Sequence, residues 1–302
     1  MAEDGWAIRR VDWGGKTAPR GSLLFLPGRG DFLEKYLESL DHWASRGWAV
    51  TALDWRGQAL SGRLGTDSLT GHVDDFGRWV ADLAAFWPAW VAERPGPHVL
   101  VAHSMGGHLA LRAVAEGRVR PDALVLSAPM LGFVRHGLPT GLSRWLSRCL
   151  AALMCAIGDP RRAAWGQDSE KPGQVPAGRM ALLTHDAARY ADELWWRERR
   201  PGLGMGPPSW GWLRAALASM RWLDRRAVLS RLAVPTFIAA ASADRLVDFG
   251  ATVRAARWIP HARLLRFGTE AAHELLREAD PVRGRVIAGI DEFLDQAAPA
   301  DN

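Results

Sequence analysis

Between residues 98 and 129 the chain changes character twice. "HVLVAHS" (98–104) is an apolar run that stops at His103-Ser104. "MGGHLALRAVAEG" then has helical spacing, and "ALVLSAP" (123–129) is apolar again. Short apolar runs without polar alternation read as strands buried on both faces, and an intervening helix makes such strands parallel neighbours in a covered sheet. The alternation extends upstream. "GSLLFLPG" (21–28) and "GWAVTALDWRG" (47–57) read as strands. Residues 31–46 carry Phe32, Tyr36, Leu37, Leu40 and Trp43 on one helical face, and 72–94 form a longer amphipathic helix. The strand signal returns at "VPTFIAAAS" (234–242), followed by a helix (246–258), a strand "ARLLRFG" (262–268) and a last helix (282–296).

The interval 130–232 breaks this pattern. It holds helical fragments, interruptions such as "PGLGMGPPSWG", and 7 of the 16 Trp, but no strand stands out. The expected organisation is an α/β core formed by 1–129 and 233–302, with 130–232 inserted as a helical cap the size of a small domain. Most of the cap's Trp residues are expected to bury it against the sheet.

Charge follows the same division. Residues 130–233 carry 16 Lys and Arg against 8 Asp and Glu, a net of +8, whereas the remainder is −3. No nucleic-acid module accompanies the basic excess, so nucleic acid is not an expected partner. Arg161-Arg162, Arg199-Arg200 and Arg225-Arg226 could instead face an anionic membrane. "PGRGD" lacks the Gly-Lys-Ser/Thr of a phosphate loop, and no His/Cys/acid cluster has metal spacing, so neither cofactor nor metal is expected. Cys149 and Cys155 fit neither a disulfide framework nor a metal site; they read as buried or half-buried thiols. "MAEDGWAIRR" lacks the basic start and apolar stretch of a signal peptide, and "WLSRCLAALMCAIG" is too short to span a bilayer. The expected location is cytoplasmic, possible membrane contact being peripheral.

The junction at Ser104 suits a nucleophile elbow, a strand-to-helix turn that needs small neighbours because its serine backbone is strained. A serine hydroxyl needs an adjacent base, itself oriented by an acid. In this class of fold the order is Ser, acid, His, each on the loop after a strand. "SADRLVD" follows the strand at 234–242 and offers Asp244 in the turn, with Asp248 four residues further on. Only His261 and His273 lie beyond. His261 precedes its strand, whereas His273 follows it in "GTEAAHELL" and is the candidate base. Two backbone N–H groups would hold the oxyanion: Met105, after the nucleophile, and Arg29 in "PGRGDF".

These segments carry a family resemblance. "FLPGRGDFLEKY", "LDWRGQALSGR", "GHVDDF", "AHSMGG", "SADRLVD" and "HELLRE" resemble the α/β-hydrolase superfamily, specifically its lysophospholipase and monoacylglycerol lipase group, the serine aminopeptidase S33 type. The resemblance implies a mostly parallel sheet flanked by helices, with a substrate-selecting helical cap. It implies a Ser104, Asp244, His273 triad with Arg29 and Met105 as oxyanion donors. It also implies cleavage of a single-chain lipid ester, a lysophospholipid first and a monoacylglycerol second. The chain departs from the group in having Pro27 where many relatives have His, and Ala59 and Ala102 where they have Gly. An aspartate-nucleophile enzyme of this fold is excluded by Ser104. A catalytically weak lipid- or partner-binding protein is the alternative of another class.

Overall fold

The computed structural model describes residues 2, 4–13, 19–134, 140–166 and 178–300. Among the described residues seven strands form one sheet in the order β1-β3-β2-β4-β5-β6-β7. They are β1 (Arg10–Trp13), β2 (Gly21–Leu26), β3 (Trp48–Leu53), β4 (His98–His103), β5 (Ala123–Ser127), β6 (Thr236–Ala241) and β7 (Ala262–Phe267). All pairings are parallel except β1 with β3. The sheet is therefore the expected mostly parallel one. β2 through β6 are buried along almost their whole length, as their continuous apolar runs require.

Helices cover both faces. Leu24, Leu26, Leu100 and Leu126 pack with Phe76, Trp79, Leu83 and Trp90 of α2 (Phe76–Glu93) and with α3 (Ser104–Ala115). On the other face Leu23, Phe25, Val99 and Val125 meet α1 (Leu37–Ser45) and the last helix, α10 (Asp280–Ala297). α9 (Phe249–Trp258) joins β6 to β7. β2 is flanked by β3 on one side and β4 on the other, so the winding reverses between β2 and β4. In open α/β sheets a crevice forms at such a reversal, beyond the carboxyl ends of the strands.

Between β5 and β6 the chain forms α4 (Thr140–Ala156), α5 (Arg179–Leu183), α6 (Ala187–Arg199), α7 (Trp210–Leu223) and α8 (Arg226–Leu229). Here the expectation for tryptophan fails. Trp212 is buried, but Trp145, Trp165 and Trp195 are exposed and Trp196, Trp210 and Trp222 are half-buried. Trp145 belongs to α4, one of whose faces is apolar and points outward, with Leu142, Trp145, Leu146, Leu150 and Leu153 all exposed. Cys149 shares that face and is exposed rather than buried; both cysteines are free. Among the described residues no helix is long and apolar enough to cross a membrane.

Candidate active site

β4 ends at His103 and α3 begins at Ser104, whose φ of 51° lies in the left-handed region. A residue with a Cβ there is strained by roughly 1–2 kcal/mol, and tight packing around it must over-determine the conformation. A Cβ on Gly106 would stand 2.3 Å from the Pro27 carbonyl oxygen and 2.5 Å from that of Leu26. Only glycine lets the first turn of α3 lie against the end of β2. Gly28 closes the same contact from the other side, where a Cβ would be 3.0 Å from Cβ of Ser104. Ala102 is completely buried on β4, so its position admits a methyl group but little more.

Three loops converge on this elbow. Nε2 of His273 lies 2.9 Å from Oγ of Ser104, and Nδ1 lies 2.6 Å from Oδ2 of Asp244. Asp244 follows β6 and is held in place through Oδ1, which accepts the N–H groups of Leu246 (2.8 Å) and Val247 (3.1 Å). Burial pushes the Asp244 carboxyl upward, but His273 and these N–H groups outweigh it and leave the pKa below the ordinary value. A carboxylate can only accept, so Nδ1 of His273 is the donor and Nε2 is left bare to receive the serine proton. Burial alone would lower the pKa of His273; Asp244 overrides it, aided by Glu274 and Asp31, and raises the pKa. Asp248, the other acid in the segment, is turned away: it caps α9 by accepting the N–H of Ala251.

The loop after β2 completes the arrangement. The Trp55 indole donates to the Pro27 carbonyl (2.8 Å), the Gly28 N–H to Asp31 (3.0 Å) and the Gly30 N–H to Gln58 (2.7 Å). The amides on both sides of Arg29 are thus engaged, which fixes the loop that carries its own N–H. The Arg29 guanidinium donates to the Gly206 carbonyl (2.6 Å) and lies 5.2 Å from the Trp212 ring centroid. Met105 follows Ser104 in the first turn of α3, where amides have no partner within the helix and carry partial positive charge. The structure therefore brings Ser104, His273 and Asp244 into one hydrogen-bonded line, with Met105 next to Ser104 in α3 and Gly28 of the loop that carries Arg29 packed against Ser104. Such a site can attack a carbonyl, shuttle its proton and hold a developing oxyanion.

Two features escaped the sequence reading. His103 is fully enclosed, with its ring centroid 4.9 Å from that of His273. Burial, and then His273, push its pKa down to about 4, so it stays neutral and donates from Nδ1 to the Ser127 carbonyl (3.1 Å). Behind the loops lies a buried charged cluster of Asp31, Lys35, Glu193, Glu274 and Arg277. Its faint signals were the i, i+4 pair Asp31–Lys35 and the acid next to His273 in "HELLRE".

The chain is similar to several known proteins. A family model for serine aminopeptidases of type S33 matches residues 17–280. Lysophospholipase L2 of Escherichia coli K12 is 31% identical over 296 residues, covering 91% of this chain and 80% of that protein. A probable lysophospholipase L2 of Haemophilus influenzae is 25% identical over 283 residues, covering 93% and 85%. Among solved structures, a soluble variant of monoglyceride lipase from Saccharomyces cerevisiae superposes with a TM-score of 0.75 at 19% identity, over 99% of this chain and 94% of that one.

Proposed function

The chain belongs to the serine aminopeptidase S33 family of α/β-hydrolases and is a serine ester hydrolase, and from that premise we propose that it is a lysophospholipase working through Ser104, His273 and Asp244. In this reading Oγ of Ser104 attacks the ester carbonyl while Nε2 of His273 takes the hydroxyl proton. The carbonyl oxygen becomes an oxyanion held by the N–H groups of Arg29 and Met105. Collapse of the tetrahedral adduct breaks the ester C–O bond, and His273 returns its proton to the departing alcohol. Water, deprotonated by His273, then attacks the acyl-enzyme and releases the fatty acid with Ser104 restored. Asp244 stays ionised throughout and stabilises the imidazolium.

The observation that carries this reading is the hydrogen-bonded line from Asp244 through His273 to a left-handed Ser104. The 31% identity to a lysophospholipase favours a lysophospholipid over a monoacylglycerol or a simple carboxylic ester. Residues 130–232 would be the substrate-selecting cap. A fluorophosphonate probe tests the chemistry: labelling of the wild type and none of Ser104→Ala is expected. Absence of labelling in the native wild type would favour a lipid- or partner-binding protein instead. A hydrolysis panel of lysophospholipids, monoacylglycerols and aminoacyl arylamides tests the substrate, with the lysophospholipids expected to turn over fastest.

An enzyme of this kind meets its substrate in membranes or micelles, and we assign a peripheral membrane contact to the α4 side of the cap. Its exposed apolar face would enter the headgroup boundary as an interfacial helix does. Of the basic pairs, Arg161 is occupied by Asp159 at 2.9 Å, while Arg199 and Arg225 lie over Trp195 and Trp222. Arg135 and Lys171 lie outside the described residues. Charge would therefore supplement apolar insertion in this contact.

A further inference from the structure

The triad leaves unexplained why a lysine should be buried behind it. Lys35 sits in a 3-10 turn (Leu33–Tyr36) and its side chain is 1% exposed. Its ammonium lies 2.6 Å from Asp31, 2.5 Å from Glu274 and 3.0 Å from Glu193. An ammonium has three protons to donate, and here each has a carboxylate within reach. Burial would lower the lysine's pKa, but the three carboxylates hold it well above its usual value. The same ammonium, with Arg277, keeps Glu274 at about 2 against the effect of burial. The group is charged at every ordinary pH, so it is not a proton donor or acceptor in the reaction.

Its three partners come from three moving parts of the proposed chemistry. Asp31 ends the oxyanion loop: its other oxygen accepts the Gly28 N–H at 3.0 Å and the Tyr36 hydroxyl at 2.8 Å. Glu274 is the residue after the catalytic base, on the loop that sets where the imidazole stands. Glu193 is on α6, in the segment that would cap the site, and it is fully buried. Arg277 doubles the link by bonding Glu274 at 2.5 Å and approaching Glu193 at 3.4 Å. We propose that Lys35 is a positioning residue that ties the oxyanion loop, the histidine loop and helix α6 into one register. The attacking and the charge-holding halves of the site then move together, and the cap is fastened to both. A buried salt bridge is poor evidence for stability, since well-packed apolar residues often do as well. Its worth here lies in fixing the relative positions of groups whose misplacement by about 1 Å can cost roughly a hundredfold in rate.

The inference rests on the triad reading, and the test separates the two. Fluorophosphonate labelling of the wild type decides whether Ser104 is a nucleophile at all. Given labelling, Lys35→Met is expected to lower kcat and the labelling rate at least tenfold, with KM changed less than threefold. Glu193→Gln touches no triad member, yet it should lower kcat several-fold. In the double variant the Glu193 effect should shrink to well below its size in the single variant, because Lys35 transmits most of it and Arg277 only the remainder. If Lys35→Met does not fold, Asp31→Asn replaces it in the same cycle. Independent, multiplying effects of the two substitutions would overturn the proposal, as would a folded Lys35 variant whose kcat stays within twofold of wild type.

Discussion

The Asp244 carboxylate and the His273 imidazole, 29 residues apart in sequence, meet at 2.6 Å where neither is open to water. The second acid of the same segment, Asp248, spends its side chain on the N-terminus of α9. Asp244→Asn should therefore lower kcat by orders of magnitude, as loss of an orienting acid does. Asp248→Asn should stay within a few fold, because asparagine caps a helix about as well as aspartate. Steady-state kinetics on both folded variants decides the assignment, and the reverse ranking would transfer the role to Asp248.

The pH profile follows from the same contact. In the proposed mechanism His273 accepts the serine proton only while Nε2 is bare. The negative charge of Asp244, with Glu274 and Asp31 behind it, raises the imidazole pKa above its ordinary value of about 6.5 despite burial. kcat/KM should thus climb with pH through a midpoint above that value, and Asp244→Asn should lower both the plateau and the midpoint. A wild-type midpoint below that value would mean that burial, not Asp244, governs the base. His103, neutral down to about pH 4, should leave no trace in the accessible range.

The elbow makes a steric prediction. Ala102→Gly should retain activity within a few fold, whereas Ala102→Val should destabilise by about 1–3 kcal/mol through overpacking. Gly106→Ala should be worse still, since its methyl would meet main-chain carbonyls that cannot turn aside. Urea titration of the three variants gives the order, and an unperturbed Val variant would show that the turn is not tight.

Ala59 also occupies the left-handed region, with φ of 45°. The resemblance puts glycine there, and glycine adopts this conformation without strain. Ala59→Gly should raise stability or leave it unchanged, the strain relieved being about 1 kcal/mol before the added freedom of the unfolded chain is subtracted. A loss above about 1 kcal/mol in thermal unfolding would show that the methyl group packs usefully beside Phe32 and Leu203.

Vesicle flotation examines the membrane contact. The protein should bind anionic vesicles more strongly than zwitterionic ones and be partly released by a few hundred millimolar salt, as charge attraction is screened. Trp145→Ser together with Leu153→Ser should abolish binding to both while leaving hydrolysis of a short soluble ester intact. Equal binding by this double variant would remove α4 from the contact.

Where local pattern and tertiary role coincide, the sequence sufficed. β2 to β6 are apolar throughout because both their faces are covered, and Ser104, Asp244 and His273 each directly follow a strand or its turn. β1 escaped notice because Arg10 and Asp12 interrupt it; it pairs only with β3 at the sheet edge, where charge is tolerated. The exposure of Trp145 and Cys149 on α4 was not legible, because periodicity gives a stripe but not its direction. Lys35 was invisible for a deeper reason. A lysine is ordinarily solvated, and two of the three carboxylates that permit its burial lie far down the chain, at Glu193 and Glu274.

The helical stretch leaves the sheet after β5 and rejoins it at β6, which is the very next strand, paired through Leu124 and Thr236. Because the pair is parallel, the stretch leaves at the carboxyl end of β5 and must cross back to the amino end of β6, at the opposite end of the sheet. Ser104 is encoded before this crossover; Asp244 and His273 are encoded after it. If this segment is the substrate-selecting cap proposed above, insertions, deletions or exchanges within it can redraw the approach to the site without shifting any strand that carries Ser104, Asp244 or His273. A lineage can acquire a new diet while keeping the same teeth.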